Sequence, residues 1–83
     1  MEKTDYEKLK EYRVLLEEMI EELEINIREL FQHAKENESK SLTVKNCLKA
    51  AEAKQKRLDA LHSALELTEA ELLRIFTEKK GEV

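Results

Sequence analysis

Residues 44–76 read VKNCLKAAEAKQKRLDALHSALELTEAELLRIF. Val44, Ala51, Leu58, Leu65 and Leu72 recur at every seventh position, and Cys47, Leu61 and Ile75 each fall three residues after one of them. This is the a/d spacing of a helix that packs along a seam. Neither Gly nor Pro interrupts the run, so the backbone chemistry supplies no break. A helix of that length cannot bury its stripe alone. Another helix has to lie beside it.

The preceding segment provides one. Thr4-Asp5-Tyr6-Glu7 has the form of a capping box, in which the Thr4 hydroxyl accepts from the Glu7 amide and Glu7 reaches back. Asp5 and Glu7 also suit the positive end of a helix dipole. The apolar stripe that follows, Leu9, Tyr12, Leu16, Ile20, Leu23, Ile27, Phe31 and Ala34, fits an eleven-residue repeat, which implies a nearly straight or slightly right-handed course. Leu30 and Met19 widen that face. A heptad through Leu9, Leu16, Leu23 and Leu30 also exists, with Asn26 and His33 among its intermediate positions.

Between the two periodic segments lies Asn37-Glu38-Ser39-Lys40-Ser41. Asn37 suits a left-handed C-cap, and Ser39, Ser41 or Thr43 can each cap a following helix. A short polar link of this kind joins the helices of an antiparallel hairpin. The second helix should stop at Gly81, with Lys79 and Lys80 at its negative end. The expected fold is therefore all-α: an antiparallel two-helix hairpin, coiled-coil-like, with helices over about 5–36 and 42–80 and a turn at 37–41. It makes a single domain of residues 1–83. Folding back at Ser39 to Ser41 brings Leu30 near Ala51, Leu23 near Leu58, Leu16 near Leu65 and Leu9 near Leu72.

Charge supports that alignment. Residues 1–38 carry a balance of −6 and residues 39–83 a balance of +2, within a chain of net charge −4. The acidic run Glu17, Glu18, Glu21, Glu22 and Glu24 would lie alongside Lys54, Lys56, Arg57 and His62. An acidic chain is also a poor match, as a whole, for nucleic acid. With 41% charged and 41% hydrophobic residues, the composition is that of long helices and coiled coils. One cysteine permits no internal disulfide. There is no apolar run of membrane-spanning length, and MEKTDYEKLK is too charged for a signal peptide, so a cytoplasmic protein without a membrane span is expected.

At 83 residues, one core is marginal without staples or a partner, and self-association or a partner should complete the hairpin. The chain also carries more apolar surface than one seam can hide. Ala53, Ala60, Ala64 and Leu67 form a second line on the second helix, and Val14, Leu15 and Ile25 lie off the main stripe of the first. A partner-binding surface is assigned to Ala53, Ala60, Ala64 and Leu67. The bland reading is that Ala merely favours helix and that single exposed apolar residues are ordinary.

Nothing points to catalysis or a cofactor. His33 and Cys47 would approach across the hairpin, but zinc wants about four such ligands and no further Cys or His accompanies them. They read as a polar residue at the hairpin's mouth and a small core residue. No phosphate loop, HExxH or calcium-loop pattern occurs, and the glutamate run lacks the Glu-x-x-His of a di-metal bundle. The basic stretch Lys40, Lys45, Lys49, Lys54, Lys56 and Arg57, with only Glu52 against it, gives the alternative. That is a dimeric hairpin binding RNA or DNA through Lys45, Lys49, Lys56 and Arg57. A purely structural homodimer is the third reading.

The segments KLKEYRVLLEEMIEELEINIREL (8–30) and LKAAEAKQKRLDALHSALELTEAELL (48–73) resemble, in layout, the small helical-hairpin co-chaperones of type III secretion needle subunits. In that family the hairpin packs against a helical-repeat partner chaperone, and the pair keeps the needle protein from polymerising. The resemblance implies that Ala53, Ala60, Ala64 and Leu67 meet that partner. The expected function is a protein–protein interaction module: a co-chaperone, adaptor or assembly subunit, not an enzyme.

Overall fold

The computed structural model describes residues 4–81, with side chains as far as Glu78. Helix α1 spans Asp5–Glu36 and helix α2 spans Ser41–Gly81, packed against one another as an antiparallel hairpin. At about 1.5 Å per residue the helices are roughly 48 and 61 Å long, and the Cα envelope measures 66 × 24 × 14 Å. The radius of gyration is 18.8 Å, where a compact domain of this length would have roughly 12 Å. The molecule is a thin rod.

Local chemistry accounts for the ends of α1. The Thr4 hydroxyl accepts from the Glu7 amide at 3.2 Å, and the Thr4 carbonyl accepts from the Lys8 amide. At the other end Asn37 does not adopt the left-handed conformation expected of it, for its φ and ψ are −119° and 35°. It uses its side chain instead. The Asn37 amide nitrogen Nδ2 donates to the His33 carbonyl at 2.8 Å, while the backbone N–H is shared between His33 and Ala34. The freed carbonyls are thereby satisfied without a residue at positive φ. The Lys40 amide then donates to the Asn37 carbonyl, and the Lys40 carbonyl accepts the first bond of α2 from Val44. Lys40 therefore occupies the N-cap position, and Ser39, Ser41 and Thr43 do not. The roles expected of Lys79 and Lys80 lie outside the described side chains.

The seam of α2 is the heptad read from the sequence. Cys47, Ala51, Leu58, Thr68 and Leu72 are buried, and Val44, Lys54, Leu61, Leu65 and Ile75 are half-buried between them. Along α1 the buried line is Leu16, Ile20, Leu23, Ile27 and Ala34, with Leu9, Arg13 and Leu30 half-buried. These alternate by four and three, so α1 is a heptad helix too and the eleven-residue stripe is corrected. Tyr12 and Phe31 stay about half exposed, at 48% and 52%, and Met19 does not widen the core. The reason lies in the partner. A straight helix drifts about 20° per heptad against a seven-residue repeat, so an eleven-residue face would leave the seam of α2 within a few turns.

Ile20, Leu23, Ile27 and Leu58 form the buried cluster, with Leu61 and Leu65 packed against it, which places Leu23 beside Leu58 as the sequence register has it. Towards the open end the same register sets Arg13 opposite Thr68. Arg13 holds its Nε atom out of solvent, 3.5 Å from Glu17 Oε1, and Thr68 satisfies its hydroxyl on the Ala64 carbonyl at 2.8 Å. The larger buried apolar side chains thus cluster in the middle of the rod, with Ala34, Cys47 and Ala51 continuing the seam towards the turn and Leu72 towards the open end.

Candidate interaction surface

Two flanks run along the seam, and cross-helix neighbours tell them apart. Met19, Glu22 and Asn26 of α1 line one recess together with Lys54 and Arg57 of α2. Ala50 and Ala53 line a shallow recess with the same Lys54 and Arg57. On the opposite flank, Glu24 and Phe31 line a recess with Gln55, and Glu24 Oε1 lies 3.9 Å from His62 Nε2. The heptad repeat extends each assignment. Tyr12 lies one heptad before Met19, Leu15 one before Glu22, and Ala64 one after Arg57. Ala60 and Leu67 follow Ala53 at seven-residue steps.

One flank therefore gathers Tyr12, Leu15 and Met19 from α1 with Ala60, Ala64 and Leu67 from α2. Ala64 is half-buried; the others are exposed, Leu67 at 73% and Leu15 at 56%. Ala53, Ala60, Ala64 and Leu67 thus share a flank, with Ala53 nearer the turn. Of the α1 half of the patch, the sequence marks only Leu15 as apolar surface beyond the seam, and Tyr12 and Met19 join it in the structure. The eleven-residue reading put Tyr12 in the core and used Met19 to widen it, and only the heptad on α1 reveals them as flank residues. Val14 and Ile25, singled out with Leu15, point elsewhere: Val14 to the opposite flank and Ile25 away from the seam.

Charged groups rim the patch. Towards the turn stand Glu22, Arg57 and Glu29. Towards the open end stand Lys8 and a cluster in which Arg74 bridges two carboxylates. Arg74 Nε donates to Glu71 Oε2 at 3.0 Å, its Nη2 to Glu71 Oε1, and its Nη1 to Glu78 Oε1 at 2.6 Å. The hydrogen bond from Arg74 holds the Glu71 carboxyl below its ordinary value, and the same bond raises Arg74. One guanidinium against two carboxylates leaves a net negative charge. An open groove of about 700 Å³ separates this cluster from Tyr6, Lys8 and Leu9 at the start of α1.

The other sequence candidates disperse. Lys45, Lys49, Lys56 and Arg57 are all exposed, but the heptad turns them in three directions. Lys49 and Lys56 face away from the seam, Lys45 belongs to the opposite flank, and Arg57 rims the apolar patch. Of the acidic run, Glu24 meets His62 and Glu22 shares a recess with Lys54 and Arg57, whereas Glu17 pairs with Arg13 on its own helix. Cys47 is buried, at the seam position opposite Ala34. His33 is exposed, with Nδ1 3.4 Å from Asn37 Nδ2. Among the described residues no three His, Cys, Asp or Glu side chains are grouped to hold a metal ion, and no helix is long and apolar enough to cross a membrane.

No family model, curated protein or solved structure matches this chain.

Proposed function

We propose that this chain is a protein–protein interaction module, acting as a co-chaperone, adaptor or assembly subunit with no chemistry of its own. One observation carries the reading: a hairpin with a narrow core presents a contiguous apolar flank of Tyr12, Leu15, Met19, Ala60, Ala64 and Leu67. Scattered exposed apolar residues need no explanation, whereas a rimmed apolar patch marks a contact surface. Aromatic and Met side chains within it suit a packed interface, and small residues let another helix approach closely. A reducing compartment such as the cytoplasm suits the single cysteine. A needle-subunit co-chaperone is one member of this class.

The test is in-cell photo-crosslinking, with the photoreactive residue placed at Leu67 and, as a control, at Glu18 on the outward side of α1. Protein adducts from position 67 and few from position 18 are expected. Adducts to nucleic acid alone, or equal yields at the two positions, would overturn the reading.

A further inference from the structure

We propose that the open end of the rod is an arm that opens as one unit, residues 5–12 of α1 parting from 69–78 of α2, with the layer of Arg13 and Thr68 as its inner boundary. The opening needs no partner and goes beyond the interaction reading. The first argument is the order of the seam. Counted from Leu23 beside Leu58, successive layers towards the open end are Ile20 with Leu61, Leu16 with Leu65, Arg13 with Thr68, and Leu9 with Leu72. Only the layer of Arg13 and Thr68 among these is polar on both helices. Arg13 Nε lies out of solvent without a hydrogen-bond partner among the described residues, and the Glu17 carboxylate 3.5 Å from it belongs to its own helix. The Thr68 hydroxyl likewise turns to its own helix, donating to the Ala64 carbonyl. A guanidinium and a hydroxyl therefore stand between the helices where an apolar pair would hold them together. The contacts of Leu9 and Leu72 are separated by that layer from the cluster of Ile20, Leu23, Ile27 and Leu58.

The second argument is what lies beyond the layer. The open groove of about 700 Å³ reaches in as far as the seam residues Leu9 and Ile75. The Arg74 guanidinium at its edge is engaged by Glu71 and Glu78 of its own helix. By contrast, the cross-helix pair of Glu24 with His62 lies in the middle of the rod, and the turn joins the helices covalently at the far end. Once parted from α2, the α1 arm loses its helix too, since an isolated helix shorter than about 12–15 residues is marginal in water. A buried polar residue in a coiled coil commonly sets the register, but here the short link 37–40 already holds α2 in register on α1. What remains for the layer is to divide the arm from the core. Opening withdraws Tyr12 from the apolar flank and leaves Leu15, Met19, Ala60, Ala64 and Leu67 in place.

Amide hydrogen exchange on the full chain, resolved residue by residue by NMR, tests this. Amides of 9–12 and 69–76 should share one level of protection, at least about tenfold below that of 20–27 and 58–65. Replacing the layer by an apolar pair, Arg13→Leu with Thr68→Leu, should join the arm to the core and bring the two levels within about threefold of each other. Arg13→Met alone, which keeps an unbranched side chain, should narrow the gap at least about threefold, and it decides the matter if the double variant changes its state of association. Protection that falls smoothly from the middle outwards would overturn the proposal, since that is ordinary fraying. Outer levels that differ by more than about tenfold between the two helices would overturn it as well, because each helix would then open separately. A gap that neither variant narrows would remove the layer as the boundary, and the proposal with it.

Discussion

The two flanks of the hairpin are built on the same helices, the same heptads and the same seam, yet they differ in kind. One carries Tyr12, Leu15, Met19, Ala60, Ala64 and Leu67 in a continuous patch. The other has Glu17, Glu21, Glu24, Asp59, His62, Glu66 and Glu69 through its middle with the single exposed apolar residue Val14 among them, and the exposed apolar pairs Phe31 and Leu48, and Leu73 and Phe76, set apart towards its ends. Helix formation does not require this difference, since Ala, Leu, Met and Glu all have high helix propensity. The seam does not require it either, because both flanks border the same buried residues. The asymmetry is directed outward. A charged middle keeps one flank in water, and the apolar middle of the other has an unmet use.

The largest expected effect is one that should hit both flanks alike. Leu58 belongs to the buried cluster with Ile20, Leu23 and Ile27, so Leu58→Ala should cost about 2–5 kcal/mol of unfolding free energy, read from urea denaturation. Substitutions on the flanks should instead separate the two surfaces. Ala60→Glu or Ala64→Glu should weaken assembly at least about tenfold, equivalent to about 1.4 kcal/mol, with helicity largely unchanged. His62→Glu on the other flank should leave assembly as it is. Equal losses from both flanks would mean that the contrast lies in composition only and has no bearing on association.

Most of the fold is legible in the sequence, and the part that is not has a definite cause. The seam of α2 can be read directly because Val44, Ala51, Leu58, Leu65 and Leu72 occupy one position without exception. Helix α1 is ambiguous because Arg13 fills a seam position that Tyr12, its apolar neighbour, suits by residue type. Spacing by residue type therefore favours Tyr12 and Phe31, while the geometry of the partner helix imposes Arg13 and Leu30. That single choice conceals half of the candidate surface, since placing Tyr12 in the core removes it from the flank. The cap at Asn37 departs from the left-handed form expected for a related reason. Residue type shows that Asn can close a helix, but whether it does so by a left-handed backbone or by Nδ2 depends on where the chain goes next.

Helix ends offer a smaller test that leaves the flanks untouched. Thr4→Ala removes the acceptor of the Glu7 amide and should cost about 1 kcal/mol of stability. Both flanks lose the same support at the open end, so the ratio of assembly effects between Ala64→Glu and His62→Glu should not change in this background. A changed ratio would show that fraying of α1 feeds the apolar flank preferentially, through Tyr12.

The smallest effect concerns the rim of the apolar flank and depends on pH. Arg74 holds the Glu71 carboxyl below its ordinary value of 4.5, chiefly by hydrogen bonding, which outweighs an opposing desolvation and is helped to a lesser extent by its charge. A depressed folded-state value means that the unfolded chain binds the proton more readily. The stabilisation is therefore fully present above about the unfolded value and is lost as pH falls through the lower folded one. Both side chains are well exposed, so the contribution is screened and small. Denaturation midpoints of the natural chain and of Glu71→Gln should differ slightly near neutrality and converge in acid. A Glu71→Gln difference that persists unchanged in acid would show that the amide perturbs packing at the rim, and that the ion pair with Arg74 does not stabilise the end of the apolar flank.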